Sequence, residues 1–403
     1  MSHEFIDIAE RSQAACPKTV GDACETVERE IQRFHAPLRR DVRRIVRSSP
    51  RLADLLTVFP GMLVALATRR GPSAGRLNAV AMIESGAQLK AVAKALDLPM
   101  WLRRLPPEAL TALPADLPRS EGFGRRIACR IPRSTTESAF WLKCVLFAGQ
   151  AAHEDFAVWL ARQQVFTDGG NCEKLFGILA AYCWFSSEPE HAAHKLIVVP
   201  WRPEIAFDTA LCAAKSWFNR VRLVTQLPEG VITDPWLKAG TCNGYTFEPL
   251  LDHAAILSEA QSMQNCADQY AERLVRDRCR LFSVRKNSVR VATLEIGPHQ
   301  REAGVLCVNQ LKSRHNMPAS TEIWQAAYAW MATQQTLKRL PGLAPAERFF
   351  DHGAWSALLA PYREAKNGAH WFDEDPSHLM FAGFDAELAD LARRGGVSSW
   401  LFT

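Results

Sequence analysis

Between Met263 and Asn316 the chain carries Cys266, Tyr270, Arg273, Arg285, Thr293, Glu295, Gln310, Lys312, Arg314 and Asn316, many of them where a plain core would take apolar side chains. These residue types suit several chemistries. Glu295 is a candidate general acid or base. Cys266 is a candidate nucleophile if Arg273 or Arg285 lowers its pKa. Arg285 and Arg314 suit the charge of a phosphate, while Tyr270 and Gln310 suit the positioning of a substrate. Arg273, Thr293, Lys312, Arg314 and Asn316 form the candidate phosphate- or substrate-binding set. Each has a plainer reading beside it. With no base near it in sequence, Cys266 reads as a buried helix residue, Tyr270 reads as part of an apolar stripe, and Arg285 with Glu295 reads as a structural ion pair. Gln310, Lys312, Arg314, His315 and Asn316 are harder to treat as core, because they crowd a strand end and the loop after it.

The elements that must position these groups follow from periodicity. Ile256, Ala260, Met263, Ala267, Tyr270 and Leu274 recur at three or four residues and predict one amphipathic helix with a dry face. Then CRLFSVR (279–285), VRVATLEI (289–296) and VLCVNQL (305–311) alternate with a period of two. Lys286-Asn287-Ser288 joins the first two, and a Gly297-Pro298 break follows the second. The spacing predicts a helix followed by a three-stranded antiparallel meander. Leu281, Ser283 and Arg285 share one face, as do Val289, Val291, Thr293 and Glu295, so Arg285 and Glu295 are expected as cross-strand or diagonal neighbours. Strict alternation groups Gln310 with Leu306 and Val308; a bulge before Gln310 would turn it to the polar face. The expectation is that Arg285, Thr293, Glu295 and Gln310 line a cleft rather than close a buried network.

The ordered series Asn265-Cys266, Tyr270, a basic turn, Phe282-Ser283-Val284-Arg285, Ala292-Thr293-Leu294-Glu295, Gln310 and Asn316 resembles the core signature of the PcfJ-like family. These are bacterial proteins named after a member encoded on a conjugative plasmid. Upstream, Leu98-Pro99-Met100-Trp101-Leu102-Arg103-Arg104-Leu105-Pro106-Pro107-Glu108 resembles a segment of its longer members. Asn265 stands where the family often has His, which speaks against a Cys-His pair. The resemblance implies relatives on plasmids or other mobile elements; it supplies no reaction.

At 403 residues, with 48% hydrophobic and 23% charged residues, the chain has an ordinary globular composition and room for two or three domains. Its basic charge is concentrated. Residues 33–133 hold seventeen Arg and two Lys against seven acids, whereas residues 1–32 are acidic. Arg39, Arg40, Arg43, Arg44 and Arg47 form one helical cluster, and Arg125, Arg126, Arg130 and Arg133 form another. Such a footprint attracts polyanions through counterion release. The alternative is a solvated helix face paired with the acidic N-terminal segment.

Leu52, Leu55, Leu56, Phe59, Leu63 and Leu66 predict short helices punctuated by Pro50, Pro60-Gly61 and Gly71-Pro72. Trp141, Phe147, Phe156, Trp159, Phe166, Phe176 and Trp184 predict a second helical region with an aromatic core. LIVVPW (196–201) reads as a brief strand, 227–249 as a loop, and 320–340 as a helix. The expected class is mainly α with a small antiparallel meander (α+β). Its segments are 1–118, basic and helical with a Pro-rich connector; 119–195, helical; 196–340, the α+β core; and 341–403, helical packing with an acidic turn at Asp373-Glu374-Asp375.

Eleven scattered cysteines with no C-x-x-C, and histidines without ligand spacing, suggest neither a disulfide framework nor a metal site. His191 and His194 read as surface residues. No phosphate loop, dinucleotide fingerprint, zincin motif, nucleophile elbow or kinase set occurs, so no cofactor is expected. With no apolar run of membrane length and no signal layout, the expectation is a cytoplasmic protein without a membrane role. Candidate partners are DNA or RNA, or a protein held on its helices. Three functions therefore stand: a nucleic-acid-associated accessory factor, an enzyme acting on a nucleotide or nucleic acid at the central cluster, and an interaction scaffold.

Overall fold

The computed structural model describes residues 20–68, 73–113, 117–127, 129–132, 134–163, 165–166, 171–302, 304–335, 337, 350–372 and 378–397, with the side chains of 20–24 and 378–382 excepted. Arg133 and the acidic turn at 373–375 lie outside these residues, as do most residues beyond 335 in the helix expected to reach 340. The chain divides into two compact units, Met1–Leu146 and Phe147–Thr403, a coarser division than the four segments read from sequence.

The first unit is helical. It contains α1 (Val20–Gln32), α2 (Ala36–Ser48), α3 (Pro50–Val58), α4 (Pro60–Ala67), α5 (Ser73–Glu84), α6 (Leu89–Ala95), α7 (Glu121–Ile127) and the first part of α8 (Thr135–Ala151). Pro50 and Pro60 open α3 and α4, where a missing N–H costs nothing. The chain bends by 119° between those two helices. Leu52, Leu55, Leu56, Phe59, Leu63 and Leu66 are all buried, as their spacing predicts. Among the described residues no single helix is long and apolar enough to cross a membrane, and α3 with α4 meets the test only as a bent pair.

The second unit adds α9 (Glu154–Leu160), α10 (Cys172–Ser186), α11 (Phe207–Gln226), α12 (His253–Met263), α13 (Ala271–Val275), α14 (Thr321–Ala332), α15 (His352–Ala365) and α16 (His378–Arg394). The aromatics expected as core are buried; Trp159 stacks on Phe156 at 5.6 Å, and Trp184 meets Tyr362 of α15 at 5.4 Å. LIVVPW is not a strand. Ala192–Leu196 is a single 3-10 turn, after which Val198 is 58% exposed and the chain runs irregularly between two prolines. The Val199 carbonyl instead accepts the Tyr182 hydroxyl.

The sheet has five antiparallel strands in sequential order: β1 (Gly240–Cys242), β2 (Tyr245–Pro249), β3 (Arg280–Lys286), β4 (Val289–Pro298) and β5 (Leu306–Lys312). The last three are the expected meander. The first two correct the reading of 227–249 as loop: Asn243 and Gly244, at φ 52° and 76°, make the two-residue turn of a hairpin. Asn287 and Ser288 do the same between β3 and β4. Gly297-Pro298 lies inside β4, paired with Cys307 and Leu306, rather than breaking it.

One sheet face is apolar. Phe247, Phe282, Val284, Leu294 and Ile296 pack with Ile323, Ala326 and Trp330 of α14, and Trp330 lies parallel to Phe247 at 4.5 Å. The opposite face meets α12 and the segment that follows it, where a polar layer sits. Trp330 is 1% exposed, so Trp330→Ala should leave a cavity and lower unfolding free energy by about 3–5 kcal/mol in a denaturant titration.

Candidate functional site

Glu295 is the centre of the polar layer. It is 2% exposed, and its carboxylate accepts from three side chains at once. Arg273 of α13 reaches both oxygens, Tyr270 donates its hydroxyl at 2.9 Å, and Asn309 donates its side-chain amide at 3.2 Å. Burial, then the neighbouring Glu295 charge, pushes the Tyr270 phenol well above its ordinary range. Tyr270 is thus fixed as a donor to Glu295. The pair expected from sequence, Arg285 with Glu295, is not formed. Arg285 bonds Ser283 at 3.4 Å and pairs with Glu248 of β2 at 3.0 Å.

Register accounts for that difference, since Glu295 pairs with Leu281, four residues along β3 from Arg285, and two bulges set which side chains share the polar face. Val284 pairs with Ala292 but Arg285 pairs with Arg290, so Val291 is an extra residue in β4. It turns Val291 toward the apolar core and brings Arg290 to the polar face. The second bulge is the one on which the position of Gln310 depends. Glu295 pairs with Gln310 and Ile296 with Val308, leaving Asn309 extra, so Gln310 stands opposite Glu295. The Asn309 side chain then crosses over residue 297, where a Cβ would stand only 2.0 Å from its Nδ2, so glycine is required.

The expected single helix is broken. Gln264 adopts a left-handed conformation (φ 50°) and closes α12; a 3-10 turn at Ala267–Gln269 and then α13 follow. Asn265 holds this corner by accepting from the Ala267 N–H at 3.1 Å and donating to Thr293 Oγ1 at 2.8 Å. Asp268, buried in the turn, pairs with Arg220 of α11 at 2.7 Å. The corner points Tyr270 and Arg273 at Glu295.

Glu259, which the sequence reading missed, completes the layer. This carboxylate is fully buried, accepts from Thr293 Oγ1 at 2.7 Å and pairs with Arg290 Nε at 2.9 Å. Burial raises its pKa, against the pull of its hydrogen bonds and of Arg290 and Arg285. The signal was present: Glu259 falls between Ile256 and Met263, on the dry side of the helix.

Thr293, Glu295, Gln310, Lys312, Cys266, Tyr270 and Asn316 line a cavity of about 20 Å³, room for about one water molecule. Cys266 donates its thiol toward Asn316 Oδ1 at 3.6 Å, and burial raises its pKa, opposite to what an activated nucleophile requires. Arg273, Thr293 and Glu295 are tied into the layer beneath. Gln310, Arg314 and Asn316 are exposed, Lys312 is half-buried, and neither Lys312 nor Arg314 forms an ion pair with any described residue. His315 and Asn316 are both left-handed (φ 60° and 58°), a tight turn closed by the Ser313 N–H to the Met317 carbonyl at 2.8 Å.

In the first unit the α2 arginines divide. Arg39 donates to the Phe34 carbonyl at 2.7 Å, Arg43 pairs with Glu28 of α1, and Arg44 pairs with Asp41 at 2.8 Å. Arg40, Arg44 and Arg47 are exposed along one stripe, and Arg40 forms no ion pair with a described residue. Arg125 and Arg126 are exposed on α7, where Arg125 pairs with Glu121 at 2.9 Å. Hydrogen bonding from Arg43 holds the Glu28 carboxyl at about 2. This folded-state value lies below the ordinary one, so the contribution is present above about pH 4.5 and is lost as pH falls toward 2.

Two clusters outside this layer also have chemical side chains. His153 Nε2 lies 3.4 Å from Cys183 Sγ, but its Nδ1 accepts the Phe156 N–H as the cap of α9, so the proton sits on Nε2 and the ring is no base for the thiol. Glu188, Glu190 and His191 bring ligand atoms within 4.8 Å of one another, with His191 stacked on Trp184 at 5.4 Å. No family model, curated protein or solved structure matches the chain.

The layer makes two expectations. Glu295→Gln breaks a buried pair and should cost about 2–3 kcal/mol, less than a fully desolvated pair because Arg273 is 43% exposed. Gln310→Ala should stay within about 0.5 kcal/mol; equal melting temperatures for the two variants would contradict the assignment. In the first unit, the protection factors of α1 amides, corrected for the intrinsic pH dependence of exchange, should fall between pH 4.5 and 2 in the wild type, whereas Glu28→Gln should have lower protection at pH 6 and lack that step.

Proposed function

We propose that this chain is a nucleic-acid-associated accessory protein of the PcfJ-like kind, acting in the cytoplasm. The observation that carries this reading is the concentrated charge: residues 33–133 have a net charge of +12, and Arg40, Arg44 and Arg47 present part of it along one exposed face of α2. The nine described cysteines are all free, which suits a reducing compartment. The resemblance at Cys266, Tyr270, Arg285, Glu295 and Gln310 supports the family assignment; it does so as a set of positions and not as a reaction.

In this reading the polar layer is scaffold. Glu295 has its lone pairs occupied by Arg273, Tyr270 and Asn309, and Cys266 is held as a thiol, so the layer has neither a free base nor an activated nucleophile. What it presents is the end of β5 and the turn after it. Lys312, Arg314 and Asn316 are the groups there that suit a phosphate or a base edge.

The test is binding of a labelled mixed-sequence oligonucleotide by the full chain across a salt series. Affinity should fall steeply with salt, and sequence should change it by less than about tenfold. Arg40→Glu/Arg47→Glu should lower the log–log slope by about 1.4 to 1.8, at about 0.7 to 0.9 for each phosphate no longer neutralised. No binding at 50 mM salt would sink the reading.

A further inference from the structure

A large cleft lies in the first unit, and no α2 residue is among its described lining. It has a volume of about 1250 Å³ and is bounded by the end of α3, by α6, by the Met100–Arg104 turn and by α7. Lys90, Lys94, Arg103, Arg104, Arg119 and Arg125 stand on its walls, against Asp97 and Glu121 alone among the described lining residues. Both acids are already engaged. Asp97 pairs with Arg119 at 2.7 Å, and Glu121 is shared by Arg125 at 2.9 Å and Lys90 at 3.8 Å. Lys94 and Arg103 form no ion pair with a described residue, although Arg103 Nε bonds the Val58 carbonyl at 3.3 Å. Lys94 and Arg103 therefore give the cleft positive charge that Asp97 and Glu121 do not cancel.

Its floor differs from its walls. Val58, Pro99 and Met100 are half-buried there, and Trp101 beneath them is held rigid by its N–H to the Pro118 carbonyl at 3.0 Å and by edge contacts with Phe123 and Trp141. A small phosphorylated metabolite would leave much of the space unfilled, because single small-ligand pockets hold about 300–1,000 Å³. An oligomeric ligand with anionic groups on its outside and flat apolar faces within matches both surfaces. Duplex nucleic acid hides its base faces and would meet the floor with sugar and phosphate only.

Resting on the nucleic-acid reading above, we propose that this cleft binds a single-stranded nucleic-acid segment of about four nucleotides, phosphates toward Lys94, Arg103 and Arg104 and bases over Pro99 and Met100. The deciding experiment uses the full chain and three probes: a labelled 12-nucleotide oligothymidylate, a blunt duplex of equal length, and polyglutamate as competitor. The wild type should prefer the single strand. Lys94→Glu/Arg103→Glu should weaken the single strand at least tenfold and reduce its log-salt slope by about 1.4, at about 0.7 per phosphate, with little change for the duplex. Arg40→Glu/Arg47→Glu on α2 should instead weaken both probes alike. Lys94→Ala, which removes no ion pair with a described residue, should weaken the single strand alone by a few-fold and guards against misfolding of the double variant. Unchanged single-strand affinity in the cleft variants, with loss in the α2 variant, overturns the cleft and leaves the broader function standing. Equal wild-type affinity for duplex, or polyglutamate competing as well as the strand itself, also overturns it. A wild type that binds neither nucleic acid overturns both readings.

Discussion

A carboxylate removed from water must be paired, and this constraint explains most of the unusual backbone in the second unit. Glu295 sits in mid-strand with almost no exposure, so its donors must be brought to it. Arg273 and Tyr270 arrive because the helix expected through this region stops at Gln264 and turns. Asn309 arrives because β5 holds one residue too many, and it passes over Gly297 because nothing larger leaves room. A left-handed corner, a bulge and a glycine inside a strand would each be a defect in isolation. Together they satisfy one buried charge.

The second carboxylate in the layer, Glu259, extends the same logic to the next rungs. Thr293 is shared between it and Asn265, so the side chains of α12, the corner and β4 form one connected set. Arg290 closes that set on the outer side through Glu259, Ser258 and Ser262. Such a set is costly when incomplete, which binds the helix α12 and the sheet to a single relative position.

Strand alternation was legible because a period of two survives in short runs, and β3, β4 and β5 begin and end within two residues of where it placed them. The partners of Arg285 were not legible. Its partner Glu248 lies on β2, inside the segment read as loop, and the register that sets Glu295 opposite Leu281 depends on the extra Val291, which is indistinguishable in sequence from a residue in register. Gln310 was readable only conditionally, through a bulge that Asn309 in fact supplies. The β1–β2 hairpin had its signal in Asn243-Gly244 but was hidden by the surrounding Pro and Gly. Breaking of the central helix was invisible to periodicity, since Met263 and Leu274 remain buried on either side of the corner. The arginines of α2 were located correctly on one helix, yet only the folded chain shows that Arg43 turns to Glu28 while Arg40, Arg44 and Arg47 face solvent.

The Asn309 bulge also has a genetic meaning. In a regular strand a substitution disturbs one side chain, but here loss of the single codon for Asn309 would restore strict pairing between β4 and β5. The pairs Ile296–Val308 and Glu295–Gln310 would then become adjacent rungs and every other residue of β5 would keep its face, so the loss would fall on one group, the Asn309 amide that donates to Glu295. An in-frame deletion of this one residue would therefore leave the two faces of the strand in place while taking a donor from a buried carboxylate. Asn309 is thus a residue the strand carries beyond its pairing, kept for the one hydrogen bond it brings inward.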